Sequence, residues 1–441
     1  MPTLAGKPVS QNGLGLMRLT WRDDITPDEQ AFKVLKAALA AGVNVWNGAD
    51  FYGTPDNNSL HLMNRYFTAY PEDAERVVLT IKSGIVDMRT FTMDCSPAAV
   101  RDFVDRANAI LDGTKKIDLF GCGRVDKNVP IEETVGALAA LVQEGKIGGI
   151  QLSEVSAATI RRAAQVAKID MVEAEISLWA TDVFENGVAV TCAELHIAMV
   201  AHTPLGAGML TGQIKSLDDM PANDYHRFFP RFQPGNFDTN LKLVEKLTQL
   251  AEKKQCTPAQ LALCWIKAQS SRPGMPVIIP VSGARAEIRV TENAIHVDLS
   301  SADLEDIKAI LDSFPVTISP DDAEADEKTK LHISMYPKEA QMLQDTAAYI
   351  NGVARAASKR DFIPVGHIAL DEGNPDAKDI ELDLPSKGVF WIKAFFVTHA
   401  LQSKGIGRAA LDEVEAMAVK EPLGAKILML DTVQQDDQRR K

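Results

Sequence analysis

Eight short apolar runs, each followed by a stretch of helical spacing, occupy the chain from Gly13 to about Phe314. The runs are GLGLM (13–17), VNVWNGAD (43–50), RVVLTIKS (76–83), KIDLFGCG (116–123), GGIQLSE (148–154), MVEAEISL (171–178), AMVAHTPL (198–205) and PVIIPVSG (276–283). Their apolar residues are largely continuous rather than alternating, as in strands buried on both faces. Segments such as PDEQAFKVLKAALAAG and SPAAVRDFVDRANAIL lie between them, and several start at a capping residue and stop at Gly. Eight β-then-α units predict an α/β fold, a (β/α)8 barrel. An open doubly wound sheet is the second choice, weakened because no GxGxxG opens the first helix. In a barrel, chemistry sits where strands end and the βα loops begin. Tyr52, Lys82, Gly123, Ser153, Glu173 and His202 all fall in or just after these runs.

The pattern breaks at FPVTISPDDAEADEKTK (314–330), which is acidic, polar and poor in apolar residues. It reads as a linker. The expected organisation is a barrel over 1–315, an acidic linker over 316–330 and a second domain over 331–441. Within the last, VGHIAL (365–370), VFWIKAFFV (389–397) and AKILMLDT (425–432) read as strands. A net charge of −13 argues against nucleic acid or an anionic membrane as a partner. No apolar run of membrane-spanning length and no N-terminal signal pattern is present in the sequence. Five cysteines without a CxxC pair suit a reducing compartment, and the expected location is the cytoplasm. His196, His202 and His226 lack ligand spacing, so no metal is expected.

Tyr52 and Lys82 stand at the ends of successive runs, which neighbouring strands would bring together. A phenol with an ordinary pKa of about 10 is a sluggish acid. A nearby ammonium stabilises the tyrosinate and makes the phenol a better proton donor to a carbonyl oxygen.

The segments GLGLM, NVWNGADFYG, TIKSG, DLFGCGRVDKNVPIEET, EGKIGGIQLSEVS, AHTPLGAGMLTG, PRFQPGNF, TPAQLALCWIKAQ and VSGARAEIRVTEN occur in this order. Together they resemble an aldo-keto reductase over about residues 1–315, and more narrowly the fungal pyridoxal reductase branch. The resemblance implies an NADPH-dependent carbonyl reductase acting on a small-molecule aldehyde. It implies Tyr52 as proton donor and Lys82 as its partner, with Asn47 where the family has Asp and Gly123 where it has His. Asn47 keeps a hydrogen-bonding carbonyl but removes a negative charge. Asp50 is a candidate source of that charge, and Gly123 is expected to leave room for water or a larger polar substrate.

For the cofactor, the resemblance implies Ser153 at the nicotinamide amide, with Glu154 and Glu173 where the family has Asn and Gln. His202 takes the place of an aromatic that stacks on nicotinamide, with a plain core histidine as the alternative. Leu205, Gly206, Gly208 and Leu210 would follow the pyrophosphate, where glycines let backbone N–H groups approach. Arg285 and Arg289 are four apart at a helix start and can grip a 2′-phosphate, which favours NADP over NAD. Ser282 and Gly283 would lie beside that phosphate, and Arg289, Glu292 and Asn293 toward the adenine and ribose. Arg227, Arg231 and Phe232, in the long segment after the seventh run, are candidates to cover the site or to form an ordinary surface loop.

In the second domain, a strand, then QSKGIG with Gln402, Gly405 and Gly407, then a helical pattern resembles the acyl-CoA site of a GNAT-type N-acetyltransferase. Acetyl-CoA is the implied second cofactor, with Phe395 to Val397 pairing with its pantetheine arm. Glu381, Asp383 and His399 are candidate bases. The domain reads as an incomplete α+β unit. Three functions follow: an NADPH-dependent aldehyde reductase, a bifunctional enzyme that also transfers acetyl groups, and an NADPH-binding protein with weakened catalysis. The oligomeric state does not follow from the sequence.

Overall fold

The computed structural model describes residues 2–21, 24–88, 92–220, 227, 232 and 236–314, together with the backbone of short strands between 343 and 430. The chain divides into two compact units, 1–325 and 326–441.

In the first unit, eight parallel strands of the described residues form one sheet. They are β1 (Gly13–Gly15), β2 (Val45–Ala49), β3 (Val78–Ser83), β4 (Leu119–Cys122), β5 (Gln151–Ser153), β6 (Met171–Glu175), β7 (Ala198–His202) and β8 (Ile278–Gly283). Each lies within one of the eight apolar runs and is shorter than it. The spatial order is β4-β3-β2-β1-β8-β7-β6-β5. The circle closes through a parallel bridge between Phe120 in β4 and Ile150, the residue before β5. The fold is therefore the expected TIM-like barrel.

Strand alternation divides each strand between two surroundings. Val45, Val78, Leu119, Met171, Val200, Ile279 and Val281 cluster with Leu4 and Val9, within and just after an N-terminal hairpin (Thr3–Leu4 with Lys7–Pro8). These form the apolar floor of the barrel. Their neighbours Trp46, Leu79, Phe120, Val172 and Met199 join the larger core that includes the helices. Helix Pro97–Leu111 illustrates why those helices form. Ser96 accepts a hydrogen bond from the Ala99 amide, Pro97 opens the first turn, and Val100, Phe103, Val104, Ala107 and Leu111 face inward. Asp112 and Gly113, both at positive φ, stop it.

The seam between β4 and β5 depends on residues without side chains. A β-carbon on Gly121 would lie 2.0 Å from the Gln151 carbonyl oxygen, and one on Gly148 would lie 2.6 Å from the Asp118 oxygen.

In the second unit, strand Val389–Val397 lies between Gly366–Asp371, antiparallel to it, and Ile427–Leu430, parallel to it. These match the three strands read from the sequence. Gln402, Gly405, Gly407, Glu381, Asp383, His399 and the linker 316–330 lie outside the described residues.

Gly121→Ala is expected to destabilise the barrel by about 3 kcal/mol, because backbone must move to admit the methyl group. Urea denaturation of the two proteins side by side checks this; equal midpoints would show that the seam has slack.

Candidate functional site

Above the apolar floor the inward-facing positions change character. Asn47, two residues along β2 from Val45, faces the same way and is 4% exposed. Thr80 and Lys82 follow Val78 on β3, and Glu173 and Glu175 follow Met171 on β6, all of them buried. Register places Asn47 beside Thr80 and Ala49 beside Lys82. The barrel thus carries a buried polar layer on a greasy base.

Within that layer Lys82 Nζ donates to Asn47 Oδ1 at 2.9 Å and to Glu173 Oε1. Asn47 Nδ2 donates to Glu173 Oε2 at 2.8 Å and to Thr80 Oγ1 at 3.0 Å. Lys82, Asn47 and Glu173 close a ring of hydrogen bonds. Burial pulls the Lys82 ammonium's pKa down, but the Glu173 carboxylate and then Tyr52 outweigh it and leave it above 10.5. Burial likewise pushes Glu173 up, and Lys82 followed by His202 brings it below its ordinary value.

Asp50 does not supply the charge expected of it. Three residues beyond Asn47, it falls on the other side of the strand direction, and its carboxylate accepts from Ser83 Oγ at 2.5 Å. Surrounding protein raises its pKa to about 6, chiefly by desolvation.

Tyr52 follows β2 in a turn that needs Gly53, whose φ is +130° and whose β-carbon would lie 2.4 Å from the Asn57 carbonyl oxygen. Lys82 Nζ lies 5.4 Å from the Tyr52 ring centroid. Trp21 stacks on the Tyr52 ring, with centroids 5.6 Å apart and planes at 22°. Phe51 stands edge-on to Tyr52 at 5.1 Å. The Phe51 ring tip also covers Gly123, reaching within 3.0 Å of where a β-carbon would be. The space expected at Gly123 is therefore filled by an aromatic side chain. Trp21, in the segment after β1, had no sequence signal beyond its position.

At the expected nicotinamide end, Arg124 Nη1 lies 3.3 Å from Ser153 Oγ and donates to the Gly123 carbonyl at 2.5 Å. Glu154 and His202 meet each other: His202 Nε2 is 2.6 Å from Glu154 Oε1, and its Nδ1 is 3.0 Å from Thr203 Oγ1. His202 is a hydrogen-bonded residue at the strand end rather than a histidine in an apolar core. Glu173, expected at the same amide, is instead committed to Lys82 and Asn47.

The turn after β7 uses several of its own amides. Gly206 and Gly208 have positive φ, but their N–H groups donate to Thr203 and Leu205 carbonyls at 2.9 and 3.0 Å. The Leu210 N–H donates to the same Leu205 carbonyl at 3.2 Å, and its side chain is buried. These three N–H groups are therefore engaged within the turn. Phe232 is buried and packed near Phe237. Arg227 Nη1 donates to the Met220 carbonyl at 3.1 Å, and Arg231 lies outside the described residues.

After β8, Asn293 Nδ2 donates to Ser282 Oγ at 3.1 Å and ties helix Glu287–Ala294 to the strand end. The Arg18 side chain lies along Gly283, 3.2 Å from a β-carbon placed there. Arg285 reaches Asp24 through Nη1 at 2.7 Å and Thr26 Oγ1 through Nε at 3.1 Å. Arg289 pairs with Glu292 at 2.7 Å. Two guanidiniums beside a helix start, Arg285 on an exposed Asp24 and Arg289 on a largely buried Glu292, form a donor set that fits a phosphate. Among the described residues no group of three or more His, Cys, Asp or Glu could hold a metal, and no helix is long and apolar enough to cross a membrane.

The barrel, with a buried lysine under a strand-end tyrosine, defines a family that sequence comparison identifies directly. Residues 13–312 match the aldo/keto reductase family, and the chain belongs to it. It is 39% identical over 325 residues to a probable pyridoxal reductase 2 of Schizosaccharomyces pombe, covering 72% of this chain and 96% of that one. It is 36% identical over 310 residues to a probable aldo-keto reductase 1 of Glycine max, covering 68% and 85%. A solved glycerol dehydrogenase of Gluconobacter oxydans shares the fold, with a TM-score of 0.60 at 24% identity, over 69% of this chain and 92% of that one. Residues 316–441 match the acetyltransferase (GNAT) family.

Asp50 gives a pH test of the site's electrostatics. Its carboxyl holds a proton in the folded state between about pH 4 and 6 that the unfolded chain releases, so it costs stability as pH rises through that window. Asp50→Asn is expected to stabilise the protein by about 2 kcal/mol at pH 7.5 and by little at pH 4. Denaturation at the two pH values measures this, and an equal effect at both would show that Asp50 titrates normally.

Proposed function

We propose that the barrel is an NADPH-dependent reductase of aldehydes of the pyridoxal class. The observation that carries this reading is the buried Lys82 ammonium held beneath Tyr52 at the open ends of β2 and β3. Tyr52 passes its hydroxyl proton to the substrate's carbonyl oxygen. Lys82 stabilises the tyrosinate left behind, and its own protons stay on nitrogen. With no imidazole at position 123, the proton comes from Tyr52.

The nicotinamide dinucleotide, when bound, supplies the hydride. Arg285 and Arg289 would hold its 2′-phosphate, Ser282 and Gly283 would lie beside that phosphate, and Asn293 and Glu292 would face the adenosine. Leu205, Gly206, Gly208 and Leu210 would shape the wall along the pyrophosphate. Ser153 and Glu154 would orient the amide beside His202. Trp21 and Phe51 give the mouth flat apolar walls that suit an aromatic aldehyde. The similarity to a probable pyridoxal reductase supports that substrate class.

For the second unit, the family match and the central strand Val389–Val397 support acyl-CoA binding as an added function. Gln402, Gly405 and Gly407 would supply its pyrophosphate-binding motif, and residues 316–330 would separate the two activities.

Purified protein is expected to oxidise NADPH with pyridoxal and related aldehydes. Tyr52→Phe should lower kcat by about 10²-fold or more while NADPH still binds. Arg285→Ala should weaken NADPH about 10-fold and leave NADH nearly unchanged. Tight NADPH binding without turnover of any aldehyde would replace this reading with that of a binding protein. Calorimetric titration of the full chain with acetyl-CoA tests the second unit, and absence of heat and of competition by CoA would end that proposal.

A further inference from the structure

We infer that Glu173 is the positioning acid of the proton-donating group: a carboxylate supplied by β6 that keeps Lys82 charged and aimed, with Asn47 as the neutral bridge between them. The inference rests on the reductase reading and adds to it a residue otherwise assigned to the cofactor.

A buried ammonium needs a counter-charge, since an unpaired one loses its proton. The nearby carboxylates are committed in distinguishable ways. Asp50 faces the other way and binds Ser83. Glu154 binds His202 and accepts the Glu175 amide at 2.6 Å. Glu173 forms the Lys82 ion pair, and both residues are about 2% exposed. Lys82 is otherwise faced by Asn47 from β2 and Tyr52 from the loop beyond it; Glu173 is also within electrostatic reach of His202 on β7.

The orientation of Asn47 follows from the same ring. Its carbonyl oxygen takes the ammonium, and its amide nitrogen takes Glu173 and Thr80. An aspartate at 47 would set two carboxylates face to face across the 2.8 Å now spanned by an N–H. Asparagine is the side chain of that shape which can bond both a cation and an anion. Asn47 therefore relocates the negative charge to β6, across the barrel.

The test compares wild type, Glu173→Gln, Asn47→Asp and the double variant Asn47→Asp/Glu173→Gln. Three readouts are taken: kcat and KM for pyridoxal, the basic limb of the pH profile, and the Lys82 titration followed by 13C NMR and assigned with Lys82→Met. Glu173→Gln should lower kcat about 10²-fold, with KM changed less than about 3-fold. The Lys82 titration and the basic limb should move at least about one unit toward lower pH, because the unpaired ammonium deprotonates sooner. Asn47→Asp alone should also lose activity, through two facing carboxylates. The double variant returns one carboxylate and one amide to the ring, and should recover to within about 10-fold of wild type with Lys82 titrating high again. A merely structural Glu173 would leave the Lys82 titration unmoved, and that result overturns the inference. So does a folded double variant with no recovery of the Lys82 titration. Should wild type reduce no aldehyde, the reductase reading fails separately, and the NMR titration still decides whether Glu173 sets the charge of Lys82.

Discussion

A positive charge buried inside a barrel sets the terms for the rest of this site. Lys82 is almost wholly removed from water, and an ammonium in that position persists only with a partner. Glu173 provides the charge, Asn47 and Thr80 complete the hydrogen bonding, and the apolar floor below keeps water from offering an alternative. The layer above it holds Tyr52, Phe51 and Trp21 packed on one another. Tyr52 lies between the ammonium and an aromatic stack.

The same mouth shows a second paired arrangement. Glu154 at the end of β5 and His202 at the end of β7 bind one another, and Glu154 also takes a backbone amide of β6. Two positions that each look anomalous in isolation form a matched pair in space. The two guanidiniums after β8 follow a different rule. Asp24, the partner of Arg285, sits at the surface and is weakly bound by comparison, which suits a group that exchanges one anion for another, while Arg289 is itself half exposed beside a more buried Glu292.

Much of the barrel was legible in the sequence because strands buried on both faces read as continuous apolar runs, and all eight runs contain a strand. The proximity of Tyr52 and Lys82 was legible for the same reason, since successive strands pair. The missing charge was not. Asp50 lies close to Asn47 along the chain but on the wrong face, while Glu173 lies 126 residues away and directly opposite. Finding it requires the circle to be closed and the inward positions of β2, β3 and β6 aligned. Gly123 misled in a related way: a residue without a side chain suggests room, but Phe51, from a loop two strands away, fills it. The glycines after β7 were recognised as a turn, whereas the use of their N–H groups within that turn depends on backbone geometry that composition does not encode.

The ring of Lys82, Asn47 and Glu173 also constrains how this chain can vary. Positions 47 and 173 share one charge, so a carboxylate at both sets two anions in confrontation and a carboxylate at neither leaves the ammonium deserted. A lineage passing between the two arrangements must cross a valley of impaired proteins or change both codons together. The two residues are in that sense a single heritable character, written at two distant places in the gene.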